Sequence, residues 1–103
     1  NLHIKTPYEA PYGRHVYHLY VISCEERDDL MQFLKSKGIG CGVYYPVPLH
    51  LQPVYKYLGY NTGDLPFAEA ACSNVLAMPL CPELNDEEQQ YVIDAIKEFY
   101  EVK

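Results

Sequence analysis

The sequence has no tryptophan and few positive charges. Eight Lys and Arg stand against 14 Asp and Glu, for a net charge of −6. A nucleic-acid binder neutralises phosphates with clustered Lys and Arg, so that class is excluded. No apolar run approaches the roughly 18–20 residues of a membrane-spanning helix. No charged start followed by an apolar segment reads as a secretory signal. Among Cys24, Cys41, Cys72 and Cys81 there is no C-x-x-C pair, and the gaps fit no zinc spacing. Nothing else points to secretion, so the four are expected as free, buried thiols of a cytoplasmic protein. A phosphate-cradling loop is missing too: Gly38-Ile39-Gly40-Cys41-Gly42 lacks the G-x-G-x-x-G spacing and a following helix. Neither G-x-S-x-G nor H-E-x-x-H occurs.

What is present is ordinary globular composition, 49% hydrophobic and 21% charged, which excludes a disordered acidic tail. A chain of 103 residues makes one domain, or one piece of a larger one. Two excesses stand out, 11 Tyr and 8 Pro. Tyrosine combines apolar area with a polar tip and suits pockets and interfaces. Eight prolines imply long stretches that are neither helix nor sheet interior.

Residues 1–13 read as a connector, with Pro7 and Pro11 around Tyr8-Glu9-Ala10 and Gly13 at its end. Residues 15–22 (HVYHLYVI) carry the strongest strand signal. Both faces of that strand are apolar, so both need a cover, one of them from outside these 103 residues. Ser23 and Glu26 fit a capping box for a helix over residues 24–37, with Gly38 as its C-terminal glycine. A second strand is expected over 39–45, its glycines marking a bulge or a close backbone approach. Residues 46–66 are irregular. Within them Pro53 opens a short helix that Gly59 ends, and Asn61-Thr62-Gly63-Asp64 is a turn. Pro66 opens a helix with an apolar stripe of Ala68, Ala71, Cys72, Val75 and Leu76, and residues 77–80 make at best an edge strand. Asn85 and Glu88 cap the last helix, whose buried face is Tyr91, Val92, Ala95, Ile96 and Phe99. This order implies a small α/β (α+β) fold: a sheet of about three strands with helices on one face.

Few residues carry chemistry. The segment Tyr44-Tyr45-Pro46-Val47-Pro48-Leu49-His50 leaves a strand end into a Pro-fixed loop. Such loops are favoured places for ligand contacts. Tyr hydroxyls and an imidazole can hydrogen-bond a hydroxyl-rich ligand, and the plain alternative is a rigid loop whose rings pack. His15 and His18, three apart on a strand, face opposite ways and make no metal pair; His18 is expected hydrogen-bonded and partly buried. The acids Glu25, Glu26, Asp28 and Asp29, like Asp86, Glu87 and Glu88, read as solvated helix starts.

These residues together resemble a known family. The segment HVYHLYVI with Arg27-Asp28, then Gly38-Ile39-Gly40, then Tyr45-Pro46-Val47-Pro48-Leu49-His50-Leu51-Gln52-Pro53, is similar to the C-terminal domain of DegT/StrS-type sugar aminotransferases. Leu58-Gly59-Tyr60, Ala68-Glu69, Met78-Pro79-Leu80 and Pro82-Glu83-Leu84 follow in the family's order. The resemblance runs from about Pro7 to Tyr100, and Y-P-x-P-L-H-x-Q-P is its most specific part. It implies the small domain of a fold-type-I enzyme that uses pyridoxal 5′-phosphate. Such an enzyme moves an amino group, usually from glutamate, onto a keto group of a nucleotide sugar in surface-polysaccharide or amino-sugar synthesis; a few relatives dehydrate instead. The implied division is a connector over 1–13 and the small domain over 14–103. The implied partners are the chain's own large N-terminal domain and a second copy of the parent in a homodimer, with no nucleic acid and no membrane. The cofactor and its Schiff-base lysine belong to the large domain. None of Lys5, Lys35, Lys37, Lys56, Lys97 and Lys103 sits in a motif like the family's cofactor-lysine segment, so the chain alone is expected to be inactive, with no catalytic, cofactor or metal residue. By motif position Tyr45 and His50, with Tyr44, are the implied substrate-binding residues. Tyr44 departs from the family's frequent His-Tyr-Pro, and Ser23 from an Arg that often follows the strand's Val-Ile.

A free-standing α/β regulatory, ligand-binding or dimerisation module is the alternative. It predicts a compact β-α-β-β-α-β order, against which residues 46–66 and the terminal helix count. A structural partner-binding domain has only the tyrosine content behind it.

Overall fold

Apolar side chains alternating along Tyr20–Cys24 form the middle of a sheet. In the computed structural model, which describes residues 3–101, Ile4–Lys5 (β1) and Tyr20–Cys24 (β2) pair antiparallel, with Ile4 opposite Cys24. Helix Arg27–Ser36 (α1) follows. Two 3₁₀ segments, Leu49–Leu51 and Pro53–Leu58, lead to helix Pro66–Asn74 (α2). Strand Val75–Met78 (β3) leaves α2 directly, and helix Asp86–Glu101 (α3) closes the described chain. The sheet is antiparallel in the order β1-β2-β3, with Ile22 opposite Leu76. From that pair's face Ile22, Cys24 and Leu76 meet Leu30 and Leu34 of α1 and Ala95, Ile96 and Phe99 of α3, all buried. The expected small mixed fold, three strands with α1 and α3 on one face, is what forms.

Local signals set the helix ends where their partners are local. Gly38, at φ 76°, ends α1. Its N–H donates to the Lys35 carbonyl, and the N–H of Ile39 reaches the Leu34 carbonyl, both at 3.0 Å. That is the double bond pattern that satisfies last-turn carbonyls. At α3 the N–H of Glu88 donates to Asn85 Oδ1 at 2.8 Å, and the N–H of Asn85 donates to Glu88 Oε2 at 3.1 Å. Pro66 opens α2, and Gly59, at φ 78°, ends the second 3₁₀ segment.

Several expectations need correction. Residues 15–19 are not strand. His15 Nδ1 accepts the N–H of Tyr17 at 2.9 Å, and Tyr17 sits at φ 48°. This local side-chain bond competes with a ladder and delays β2 to Tyr20. Val16 and His18 are exposed rather than buried. Ser23 caps nothing, because it pairs with Lys5 and Val75 in the sheet; α1 starts at Arg27 behind Glu26, without a side-chain cap. The strand expected over 39–45 shrinks to one bridge, Gly42 with Ala77. The Tyr44 ring lies back over Gly42, so close that a Cβ there would stand 3.2 Å from its hydroxyl. Val75 and Leu76 belong to β3, not to the α2 stripe, and Pro79 ends that strand two residues early. The connector holds β1; its residues 1 and 2, like Lys103, lie outside the described residues. The described cysteines are free, but Cys81 is exposed and Cys41 and Cys72 are half-buried.

Candidate functional site

The Pro-rich segment and α2 face each other across an apolar hollow of about 650 Å³. One wall is Tyr45, Val47, Leu49, His50 and their prolines; the other is Leu65, Ala68, Ala71 and Cys72. Pro46 and Pro48 fix φ along the first wall, so it holds its shape without a ladder. Small residues on α2 leave the space open.

Of the three residues singled out from the sequence, the structure brings two to this hollow. Tyr45 is 72% exposed at its rim. His50 lines it, but its side chain is only 4% exposed. Tyr44 is not in the lining; it packs over Gly42. His50 is committed inward. Its Nε2 lies 3.1 Å from Glu69 Oε1, and since a carboxylate only accepts, Nε2 carries the hydrogen. The Tyr60 ring meets the imidazole edge-on at 6.1 Å. Tyr45 thus stands exposed at the rim, while the imidazole braces the wall behind it.

Glu69 was missed as a site residue. Besides His50 it takes the N–H of Gly63, at 2.8 Å to Oε1 and 3.0 Å to Oε2. A signal was there: Glu69 is the only charged residue between Leu65 and Pro82. Arg27 was also passed over as a structural residue. It is buried, and its guanidinium donates to the carbonyls of Cys72 at 3.1 Å and Val75 at 3.0 Å, where α2 turns into β3.

The rest of the chain holds little chemistry. Cys24, Glu26 and Tyr100 converge near the start of α1. Burial pushes the Cys24 thiol up, and it pushes the Tyr100 hydroxyl up strongly, with Cys24 and Glu26 adding to the rise. Yet the Tyr100 hydroxyl and Glu26 Oε2 meet no partner at hydrogen-bond geometry among the described residues. A thiol held protonated is no nucleophile. A second pocket, of about 240 Å³ between Ile22, Met78, Val92 and Ile96, has no charged lining residue. Among the described residues no His, Cys, Asp and Glu group is placed to hold a metal ion, and no helix is long and apolar enough to cross a membrane.

Pyridoxal phosphate needs a lysine that is desolvated or otherwise activated. Lys5, Lys35, Lys56 and Lys97 are exposed. Lys37 pairs with both oxygens of Glu98 at 2.7 Å. The described residues do not fit that cofactor.

Comparison with known proteins places the chain. The model of the DegT/DnrJ/EryC1/StrS aminotransferase family matches residues 1–97. The chain belongs to that family. It is 52% identical over 97 residues to a "pleiotropic regulatory protein" of Geobacillus stearothermophilus, covering 94% of this chain and 26% of that one. It is 39% identical to the dTDP-3-amino-3,4,6-trideoxy-alpha-D-glucose transaminase of Streptomyces venezuelae, over 95% of this chain and 26% of that one. The crystal structure of S. venezuelae DesV with a ketimine intermediate superposes with a TM-score of 0.89 at 38% identity, over 93% of this chain and 26% of that chain. The PLP form of a sugar aminotransferase described as putative, Spr1654 of Streptococcus pneumoniae, gives 0.83 at 32% identity, over 96% and 26%. The chain thus spans about a quarter of the length of the curated relatives it matches.

Proposed function

We propose that the chain is the C-terminal small domain of a pyridoxal-phosphate-dependent aminotransferase. The parent moves an amino group from glutamate onto a keto nucleotide sugar, in the cytoplasm, for amino-sugar or surface-polysaccharide synthesis. One observation carries this reading: nearly the whole chain superposes on DesV, a structure holding a ketimine intermediate, at a TM-score of 0.89. The relative SpsC, a spore coat polysaccharide biosynthesis protein of Bacillus subtilis that is 34% identical, supports the pathway. The cofactor and its lysine are supplied by the parent's large N-terminal domain, and no step of the cofactor's chemistry is assigned to residues of this chain. The parent works as a homodimer. Here the Tyr45 hydroxyl offers a hydrogen bond to the sugar, His50 braces the loop that carries it, and Tyr44 shapes the neighbouring backbone over Gly42.

A regulatory role is the second reading, favoured by the names of two relatives: the Geobacillus pleiotropic regulatory protein and the "erythromycin biosynthesis sensory transduction protein" EryC1 of Saccharopolyspora erythraea. The parent protein, extended to its full length, separates the two. With the aminotransferase reading its absorbance spectrum shows a bound-cofactor band that glutamate converts to the pyridoxamine form. A parent with no such band, before or after added pyridoxal phosphate, overturns that reading and leaves the regulatory one.

A further inference from the structure

The two walls of the 650 Å³ hollow come from distant parts of the chain, and each is stiff for its own reason. Prolines fix the loop wall. The helix wall is held by the α2 ladder, with the N–H of Glu69 itself donating to the Leu65 carbonyl at 3.1 Å. Between the walls, among the described residues, one hydrogen bond spans the gap: His50 Nε2 to Glu69 Oε1. The same carboxylate holds the Gly63 N–H. Gly63 lies in the turn where the Asp64 N–H reaches the Asn61 carbonyl at 3.1 Å and the Asn61 N–H reaches Asp64 Oδ2 at 2.7 Å. The Glu69 side chain is 18% exposed, so its bonds are poorly screened and charge-assisted. One carboxylate therefore ties together loop, turn and helix.

We infer that Glu69 is the positioning residue of this hollow: through His50 it sets the distance between the two walls, and with it the fit of the nucleotide sugar. Glu69 touches no reacting atom and moves no proton. The inference rests on the reading that the hollow receives the sugar substrate. It adds that ligand fit depends on a residue lying behind the lining.

The test uses the full-length parent as wild type, Glu69→Ala and Glu69→Gln. Two non-reacting probes, dTDP-glucose and UDP-N-acetylglucosamine, are titrated calorimetrically. Conversion of the bound cofactor by glutamate is followed separately by absorbance. Glutamine keeps an oxygen for His50 and Gly63, so Glu69→Gln should bind the better probe within about threefold of wild type. Glu69→Ala should weaken that binding about tenfold, the loss expected for one hydrogen bond to a charged group. The glutamate conversion should run at the wild-type rate in both variants. Unchanged probe binding in Glu69→Ala overturns the inference. So does an equal loss of probe binding and glutamate conversion, which marks general damage. Binding of neither probe by the wild type also overturns it. If wild type lacks the glutamate conversion, the aminotransferase reading fails, while the pattern of probe binding still supports or refutes Glu69 by itself.

Discussion

Replacing Arg27 by methionine tests how the sheet and helices are joined. The side chain is buried, and methionine fills much of the same volume. The Nε–Asp28 contact, at 2.6 Å, ends on a carboxylate that is largely exposed, and such pairs contribute about 0–1 kcal/mol. The two bonds to the Cys72 and Val75 carbonyls matter more. Hydrogen bonds to a charged group contribute roughly 1.5–3 kcal/mol each, and a cation near the C-terminal end of α2 also favours its dipole. A buried ion pair replaced whole by apolar groups is often neutral, but here the acceptors are backbone and stay behind unpaired. Arg27→Met should therefore cost about 3–4 kcal/mol, and Arg27→Lys, which keeps a point charge without the fork, about half of that. Urea unfolding followed by circular dichroism reads this, with an m-value on the order of 1–2 kcal/mol per molar. If Arg27→Met unfolds within about 0.5 kcal/mol of wild type, the guanidinium–carbonyl bonds carry no stability and the reasoning fails.

Three further outcomes follow from the same contacts. Leu76→Ala removes a fully buried side chain opposite Ile22 and should cost about 2–5 kcal/mol in the same urea experiment. Gly38→Ala meets no atom within 4 Å at its new Cβ, so its cost is conformational alone, about 1–2 kcal/mol for a left-handed residue; a neutral result would contradict the role given to this glycine. Stability should also fall in alkali. Burial raises the Cys24 and Cys41 thiols above their ordinary 9.0 and the Tyr100 hydroxyl above its ordinary 10.0. The unfolded chain loses these protons first, so stability is whole below about pH 9 and drops as pH rises past it. Urea midpoints at pH 7, 9 and 10 should decline, less steeply in Tyr100→Phe; a flat profile would contradict the burial argument.

What was legible in the sequence was what depends on near neighbours. The Asn85–Glu88 box, the Gly38 end of α1 and the Pro66 start of α2 each have their partners within a turn or so, and they formed as expected. Ser23 and Glu26 show the same local pattern, but the Ser23 backbone is taken by β1 and β3, which the spacing does not reveal. The strand signal of residues 15–22 was half right: composition favours strand throughout, yet the His15–Tyr17 bond withdraws its first part. The hollow was half legible too. Its loop wall lay in the Tyr/Pro/His run, whereas its brace joins residues 19 apart in sequence. Arg27 is harder still, with acceptors 45 and 48 residues away. Tyr44 was grouped with Tyr45 because the two are adjacent, and its packing over Gly42 separates them.

In the function proposed above, this chain supplies both walls of the sugar hollow, while the cofactor's lysine lies elsewhere in the parent. Borohydride reduction of the full-length protein, followed by digestion and mass spectrometry, tests this most directly, because it fixes pyridoxal phosphate on the lysine that holds it. One stoichiometric phosphopyridoxyl-lysine is expected, in a peptide outside residues 1–103. A label on Lys5, Lys35, Lys37, Lys56, Lys97 or Lys103, or no labelled lysine at all, would contradict that function.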